Sequence, residues 1–290
     1  MNEKYEKPVF IAELCCNHMG SLDVAKIMID VAKKSGVDVV KFQKRDIEEW
    51  SKRKKEVYNS PHKDLKNSFG TTYKEHREFL EFSFDEHKEL KKYCDKIGIK
   101  YSASVWDLKS AKQICSLNPE IIKIASPCNM NFEMIEWICD NYEGEIHLSL
   151  GMTERKDIEK IVKVFKKHGR LSDLVLYSCT SGYPVKYEDM CILEVKYLKE
   201  KYGSLIKGIG FSGHHIGTTI DIAAYTLGAN VIERHFSLDK ELKGTDQKVA
   251  LTKDEFKKLI SDINDVTKSL TYKPNHILGI EVSNKEKLKW

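Results

Sequence analysis

Short runs rich in β-branched residues alternate with helix-like segments along almost the whole chain. Eight such runs are candidate strands: residues 9–16, 37–44, 99–106, 121–126, 145–151, 174–180, 206–213 and 230–237. Most are followed by apolar residues at the spacing of a helix, and the clearest of these patterns predicts a helix over Leu22–Ser35. Because the strands are mostly apolar on both sides, they are typical of a parallel sheet covered by helices.

Eight β-then-α units in succession predict an α/β fold of the (β/α)8 TIM-barrel class, with residues 1–290 forming one domain. The alternative is an open, doubly wound sheet. However, no G-x-G-x-x-G motif follows the first strand, where a dinucleotide-binding fold of that type usually has one. Glycines stand where several helices should end, and we expect left-handed backbone at Gly36, Gly98, Gly169, Gly203 and Gly228.

Composition and charge argue against several broad classes of protein. The 48 Lys and Arg against 44 Asp and Glu leave a net charge of +4 that is spread along the chain, unlike the basic face of a nucleic-acid-binding protein. No apolar run approaches the ~18 residues that span a bilayer, and the N-terminus lacks the pattern of an export signal. The eight cysteines form no C-x-x-C pair. We therefore expect reduced thiols in a cytoplasmic protein without nucleic-acid or membrane partners.

A long segment, residues 45–83, separates the second strand from the next clear helix. Loops of this length are uncommon unless they serve as lids, binding loops or interfaces. The segment contains the run SKRKK at residues 51–55, which has two interpretations. It is either a solvated charge run or part of a lid or subunit contact.

In a barrel of this class the active site lies at the C-terminal ends of the strands. The polar residues at those ends, and in the loops that follow, are the candidates for the site: Glu13, Asn17, His18, Lys41, Gln43, Ser104, Asp107, Lys123, Ser126, Ser149, Ser181, Tyr183, Ser212, His214, His215, Glu233, His235 and Asp246.

Two of these candidates, Lys41 and Lys123, stand inside otherwise apolar strands. An ammonium group is costly to bury without a partner, so both lysines indicate an anionic ligand, with nearby serine hydroxyls as further donors. The alternative is that each lysine pairs with a barrel carboxylate such as Glu13 or Glu233. That pairing is also compatible with the empty form of an anion site.

His214 and His235 end the seventh and eighth strands, which are neighbours in a barrel. Adjacent strands lie about 4.8 Å apart, so two imidazoles at matching heights can share one divalent ion. Water or substrate oxygens would complete its shell, as a catalytic Lewis acid requires. The other interpretation is that each histidine is a hydrogen-bonded core residue.

At these residues the chain resembles the sialic acid (N-acetylneuraminate) synthase family, which includes legionaminic and pseudaminic acid synthases. The matching stretches run in order from the first strand to the loop after the eighth: IAELCCNHMGSLDVAKIMIDVAKKSGVDVVKFQ, KIAS, HLSLGM, YSCTSGYP, GFSGHHIG, GANVIERHFSLD and GTDQ. The resemblance therefore covers nearly the whole barrel.

The resemblance implies a metal-dependent condensation of phosphoenolpyruvate with N-acetylmannosamine or a related open-chain sugar, giving a sialic acid-like nonulosonate and phosphate. It implies that phosphoenolpyruvate is held by Lys41, Ser104, Lys123, Ser126, Ser149 and Ser212. It further implies that His214 and His235 ligate Mn²⁺, or alternatively Mg²⁺ or Co²⁺. The sugar would be faced by Gln43, Tyr183 and Asp246, and the catalytic set would be Glu13, Lys41, Lys123 and Asp246.

The chain departs from the family's pattern on the sugar side. Gly213 replaces an acidic residue, Pro127 and Cys128 follow KIAS instead of a glycine and an acidic residue, and Ser181 replaces an asparagine. We also expect no C-terminal antifreeze-like domain, which in the family lends an arginine to the partner's site. The acceptor is then a different sugar, or segment 45–83 replaces that domain, with Arg53 and Arg77 as candidates. A homodimer or a separate chain would complete the site.

Two other functions remain open at this stage. A 3-deoxy-ulosonate synthase would take an aldose phosphate as acceptor, and the SKRKK run would supply cations for its phosphate. A non-catalytic sugar- or phosphate-binding barrel is the second alternative. It would be expected to have lost the lysine and histidine positions, whereas Lys41, Lys123, His214 and His235 are all present.

Overall fold

The computed structural model describes residues 5–290, and its parallel strands close into a barrel in chain order. The strands are β1 (Val9–Glu13), β2 (Val39–Lys44), β3 (Lys100–Val105), β4 (Ile121–Ile124), β5 (Glu145–Ser149), β6 (Leu174–Cys179), β7 (Gly208–Gly213) and β8 (Val231–His235). This arrangement confirms the predicted (β/α)8 barrel and excludes the open sheet. Most predicted strands extend beyond the observed ones, chiefly at their C-terminal ends, where the chain leaves the sheet to form loops.

Helices follow the strands and cover the outside of the barrel. They are α1 (Leu22–Ser35), α2 (Ile47–Arg53), α3 (Lys55–Asn59), α4 (Tyr73–Leu80), α5 (Phe84–Ile97), α6 (Leu108–Ser116), α7 (Phe132–Asn141), α8 (Arg155–Lys167), α9 (Leu193–Tyr202), α10 (Thr219–Thr226), α11 (Lys253–Ser269) and α12 (Val282–Leu288). None of the helices in the described residues is long and apolar enough to cross a membrane.

The first helix shows how the sequence sets these boundaries. The Ser21 side chain caps α1 by accepting a hydrogen bond from the backbone N–H of Val24, and Gly36 ends the helix with φ of 92°. Left-handed backbone is confirmed at four of the five predicted glycines. The exception is Gly203, whose φ of −58° is right-handed, so the prediction there was wrong.

The interior of the barrel is layered along the strand direction. An apolar layer near the N-terminal ends consists of Ile11, Val39, Ile121, Val175, Tyr177 and Val231. Alternate residues of a strand point to the same face, so the next inward position carries Glu13 on β1, Lys41 on β2 and Lys123 on β4. In the strand register Glu13 lies opposite Lys41 on one side and His235 on the other. Strand alternation thus places a layer of charged groups on the C-terminal side of the apolar layer.

Segment 45–83 is not an extended loop, since it contains α2, α3 and α4. It packs at the barrel mouth, where the indole Nε1 of Trp50 donates to the carbonyl oxygen of Trp106 at 3.1 Å. The basic side chains of SKRKK are exposed. Lys52 pairs with Glu48 at 2.6 Å one helical turn away, as the solvated-charge interpretation predicts.

Candidate active site

A cavity of about 320 Å³ opens at the C-terminal ends of the strands. Its lining includes all six residues predicted to hold phosphoenolpyruvate, both predicted metal ligands, and Glu13, Gln43 and Tyr183. The rest of the lining is Trp106, Ala125, Pro127, Met152, Cys179, Ser181 and Glu233. The structure therefore brings together the residues to which the resemblance assigns a role, with the exception of Asp246.

Two buried ammonium groups and two buried carboxylates form the floor of this cavity. Nζ of Lys41 contacts Glu13 and lies 3.6 Å from Oε1 of Glu233, while Nζ of Lys123 lies 2.7 Å from that oxygen. Burial lowers the pKa of Lys41. Burial acts to raise the pKa of Glu233, but the charges of Lys123 and Lys41 outweigh it and hold that pKa below its ordinary value. Both lysines are thus paired with carboxylates, the pairing that is compatible with an empty anion site.

Serine hydroxyls surround the two ammonium groups. Nζ of Lys41 donates to Oγ of Ser104 at 2.6 Å, and Oγ of Ser126 donates to Oγ of Ser149 at 2.8 Å. Ser212 donates to Glu233 at 3.2 Å. These hydroxyls can rotate to donate to an incoming oxyanion, so the floor is suited to bind phosphate and carboxylate oxygens.

His214 and His235 stand side by side, with ring centroids 5.3 Å apart and planes inclined by 63°. Nδ1 of His214 lies 2.9 Å from the carbonyl oxygen of Thr180, which only accepts, so the hydrogen is on Nδ1 and Nε2 keeps its lone pair. Burial lowers the pKa of His235 to about 3, which keeps this imidazole neutral. The Nδ1 atom of His235 is buried without a hydrogen-bond partner. A neutral imidazole with a free nitrogen, as in His235, fits a divalent metal ion. The pKa of His214 is raised instead, so this ring would bind the ion after losing a proton.

Asp246 is not part of the cavity lining and lies beside His235 instead. Its Oδ2 is 3.9 Å from Nδ1 of His235 and accepts a hydrogen bond from Sγ of Cys15 at 2.9 Å. Burial acts to raise the pKa of Asp246, but the neighbouring His235 ring and the hydrogen bonds from Cys15 and Thr245 lower it on balance. The contact of Asp246 with a sugar therefore stays a prediction, and the carboxylate lies behind His235 rather than in the cavity lining.

Four of the polar candidates predicted at the strand ends lie outside the cavity lining and have structural roles instead: Asn17, His18, Asp107 and His215. The His18 ring stacks on Phe82 with centroids 4.0 Å apart, and the side chain of Asp107 caps α6. His215 lies 3.4 Å from Asp221, outside the cavity lining. A position shortly after the end of a strand was therefore not sufficient to place a residue in the site.

Cys179 and Trp106 line the cavity but were not among the predicted site residues. Burial acts to raise the pKa of the Cys179 thiol, but its hydrogen bond to His214 and the imidazole charge lower it to about 7. The interaction with Cys179 in turn raises the pKa of His214, although burial acts to lower it. Cys179 is the last residue of β6, so the strand-end rule would have found it had cysteine been counted as polar.

The two arginines of segment 45–83 that were predicted to contact the sugar, Arg53 and Arg77, do not line the cavity. Arg77 is buried and pairs with Glu81 at 3.0 Å. Arg53 is exposed and lies 3.9 Å from Glu49. Another residue of the segment, Arg45, stacks on the ring of Trp106 at 3.7 Å and thus lies next to the lining.

A closed barrel whose C-terminal mouth gathers ammonium, hydroxyl and imidazole groups belongs to the class of (β/α)8 enzymes. Comparison with known proteins identifies the family. The model of the NeuB family matches residues 28–275, which is most of the chain. The protein therefore belongs to the NeuB family and is an enzyme of the synthase type.

Named relatives agree with this assignment. N-acetylneuraminate-9-phosphate synthase of Homo sapiens is 34% identical over 284 residues, covering 98% of this chain and 77% of that protein. N,N'-diacetyllegionaminic acid synthase of Campylobacter jejuni is 32% identical over 266 residues, covering 91% and 78%. The solved structure of N-acetylneuraminic acid (sialic acid) synthetase from Leptospira borgpetersenii, in complex with citrate, has a TM-score of 0.82 at 28% identity, covering 98% and 93%.

Proposed function

We propose that this protein condenses phosphoenolpyruvate with an open-chain N-acylated amino sugar, giving a nonulosonate of the sialic acid type and phosphate. The observation that carries the proposal is the cavity floor, where Lys41 and Lys123 are buried beside hydroxyl groups. The names of the relatives support the same chemistry, since they are synthases of N-acetylneuraminate 9-phosphate and of a diacetyllegionaminic acid.

Phosphoenolpyruvate carries a carboxylate and a phosphate, and the floor offers two cations for them. When the ligand enters, Lys41 and Lys123 exchange part of their pairing with Glu13 and Glu233 for ligand oxygens. The floor is therefore preorganised, because the ammonium groups are held in place before the ligand arrives. The hydroxyls of Ser104, Ser126, Ser149 and Ser212 complete the anion site.

His214 and His235 would hold a divalent metal ion, for which the free imidazole nitrogens described above are suitable ligands. Such an ion supplies Lewis-acid polarisation of the sugar aldehyde. Mn²⁺ is our first candidate, with Mg²⁺ and Co²⁺ as alternatives. The ring of Tyr183 covers this pair with its centroid 4.3 Å from that of His214, so it restricts the space above the aldehyde.

The remaining chemistry falls to residues of the floor and rim. C3 of phosphoenolpyruvate attacks the aldehyde carbon, and water captures the cation that develops at C2 before phosphate leaves by C–O cleavage. Glu13 is one of the two buried carboxylates of the floor, and we assign it the stabilisation of that cation or the orientation of the water. Gln43, which reaches Glu13 at 3.4 Å, and Tyr183 are placed to contact the sugar.

An aldose phosphate acceptor is less well supported by the structure. It would need a cationic group for the second phosphate, and SKRKK was the candidate. The basic side chains of that run are exposed, and Lys52 and Arg53 lie close to carboxylates of the same helix. We further propose a cytoplasmic location, which suits the eight free cysteines.

Turnover of isotope-labelled phosphoenolpyruvate tests the proposal. The metal-depleted protein is reloaded with Mn²⁺ and offered N-acetylmannosamine, its 6-phosphate, other N-acylated hexosamines and simple aldose phosphates. We expect metal-dependent release of phosphate, with label in a nine-carbon keto acid, for at least one N-acylated acceptor. Turnover with aldose phosphates alone would contradict the proposal, as would an absence of phosphate release with every acceptor.

A further inference from the structure

A second group of metal-ligating side chains lies next to the two histidines. Its centre is the Asp246 carboxylate, since Oδ2 lies 2.9 Å from Sγ of Cys15 and 3.8 Å from Sγ of Cys16. The ligand atoms of these three residues all lie within 4.8 Å of one another. Nδ1 of His235 approaches the same oxygen at 3.9 Å. Sulfur, oxygen and nitrogen donors thus converge at one point beside the cavity.

An unpaired atom faces this group. Nδ1 of His235 has no hydrogen-bond partner among the described residues, and the residue is only 5% exposed. A buried polar atom without a partner is destabilising, so native structures seldom leave one without a reason. A metal ion bound between Nδ1 and Asp246 would satisfy it.

We propose that Cys15 is a metal ligand, and that its thiolate, the Asp246 carboxylate and the His235 imidazole bind one divalent cation that accepts sulfur ligands, such as Zn²⁺, Co²⁺ or Fe²⁺. The inference rests on the proposed function, because it extends the histidine metal site. The cation replaces the proton of the Cys15 thiol: the S–H bond breaks, a metal–sulfur bond forms, and the proton leaves to solvent without any oxidation.

The geometry requires little movement to reach such a site. Ligand atoms on a tetrahedral ion of this kind are about 3.4–3.6 Å apart, as follows from metal–ligand bonds of about 2.0–2.3 Å. The observed separations around Oδ2 of Asp246 are 2.9 Å to Cys15 and 3.9 Å to His235. Changes of about 0.5–0.7 Å therefore bring each of these two pairs into range. The Cys15 and His235 side chains must also approach one another, because His235 is not in the group whose ligand atoms lie within 4.8 Å of each other.

A hydrogen bond with Cys16, burial and the Asp246 charge raise the pKa of the Cys15 thiol well above its ordinary value, so only a cation bound beside it can hold a thiolate at Cys15. The amide Nε2 of Gln43 donates to its Sγ at 2.9 Å, and such outer hydrogen bonds orient and stabilise metal-bound sulfur. A thiolate also changes the metal preference, because soft sulfur ligands favour zinc-like ions over Mg²⁺ or Mn²⁺. With Cys15 as a ligand, this protein should therefore prefer a zinc-like ion over Mn²⁺.

Two other cysteines provide matched controls. Cys16 follows Cys15 directly and is equally buried, but its sulfur is farther from Asp246, at 3.8 Å. Cys179 is hydrogen-bonded to the other histidine of the pair, His214, and is therefore a second thiol close to the histidine site. A serine substitution at Cys15, Cys16 or Cys179 replaces one sulfur atom with oxygen in each case.

Cobalt is the probe for the experiment. Metal-depleted protein is loaded with Co²⁺, and its absorption spectrum is recorded for wild type, Cys15→Ser, Cys16→Ser and Cys179→Ser, with circular dichroism to check folding. We expect a thiolate-to-cobalt charge-transfer band in the near ultraviolet for wild type, Cys16→Ser and Cys179→Ser. In Cys15→Ser we expect the band to be lost and cobalt to bind at least tenfold more weakly.

Several outcomes would overturn the inference. Wild-type protein that binds cobalt and shows only d–d bands has no thiolate ligand, and this result needs no variant to fold. Loss of the band in Cys179→Ser or Cys16→Ser, but not in Cys15→Ser, would show that a cysteine other than Cys15 supplies the sulfur ligand. Phosphate release from phosphoenolpyruvate is measured on the same wild-type preparation. Turnover without the band refutes only the thiolate ligand, and the band without turnover of any acceptor refutes only the proposed function.

Discussion

The floor and the rim of the cavity are built by different parts of the sequence. The floor consists of Glu13, Lys41, Lys123 and Glu233, which all lie on strands at inward positions of the barrel. The rim includes Tyr183 and Met152, which lie in loops after strands. The barrel's backbone hydrogen bonds fix the register of the floor, whereas the rim depends on how each loop packs. We infer that the floor determines the reaction and the rim determines the acceptor.

Exposure separates the two regions as well. Lys41 and Lys123 are 2% and 3% exposed, while Tyr183 is 53% exposed. A charge removed from the floor leaves its partner unpaired in a medium of low polarity, which is expensive. A side chain removed from the rim leaves space that water fills. Substitutions in the floor should therefore change the use of phosphoenolpyruvate strongly, and those in the rim should change the use of the sugar more modestly.

The largest effect is expected from Lys123→Met. The substitution keeps the length of the side chain and removes the charge that faces Glu233 at 2.7 Å. Loss of one partner of a buried charged contact costs about 2–5 kcal/mol, so we expect kcat/KM for phosphoenolpyruvate to fall about a thousandfold. Steady-state phosphate release measures it, with thermal unfolding to confirm that the variant is folded.

Lys52→Met is the matched control for this substitution. Lys52 makes an exposed ion pair with Glu48, and such pairs contribute little to stability or binding. We expect kinetics within twofold of wild type. A folded Lys123→Met enzyme with the kinetics of Lys52→Met would show that the floor does not bind phosphoenolpyruvate.

The sequence was sufficient to predict the floor because two simple periodicities determine it. Eight repeated units implied the barrel, and the alternation of a strand carries Ile11 to Glu13 and Val39 to Lys41 on one inner face. A lysine in such a run has few explanations, so Lys41 and Lys123 were found from sequence alone. The resemblance to a known family then linked these positions to a ligand.

Tyr183→Ala removes an aromatic ring from the rim, and we expect a smaller effect than for Lys123→Met. Its ring lies over both imidazoles, 4.3 Å from that of His214 and 5.9 Å from that of His235. We expect KM for the sugar acceptor to rise about tenfold, a cost of about 1.4 kcal/mol, while KM for phosphoenolpyruvate stays within twofold. Initial rates with one substrate varied at a time measure both constants.

Tyr187→Ala is the corresponding control, because Tyr187 is similarly exposed and lies outside the cavity lining. We expect neither constant to change there by more than twofold. An equal rise of both KM values in Tyr183→Ala would remove the distinction between floor and rim, since the ring would then serve both substrates.

The rim could not be predicted to the same depth. Asp246 was expected to face the sugar, but the loop after β8 turns its carboxylate towards Cys15 and His235, a contact between distant parts of the chain. The helices of segment 45–83 were missed because they are short and mostly exposed, so their apolar spacing is weak. Cys179 was missed because cysteine was treated as apolar.

The smallest effect is expected from Arg53→Ala, which tests whether segment 45–83 supplies an arginine to the rim. Arg53 is exposed, and its only ion pair in the described part of the chain is with Glu49 at 3.9 Å. Exposed pairs of this kind contribute about 0–1 kcal/mol, so we expect an unfolding free energy within about 0.5 kcal/mol of wild type. We also expect KM for the sugar to stay within twofold, as measured beside Lys52→Met. A tenfold rise confined to the sugar's KM would instead mean that the segment closes over the cavity during turnover and extends the rim to Arg53.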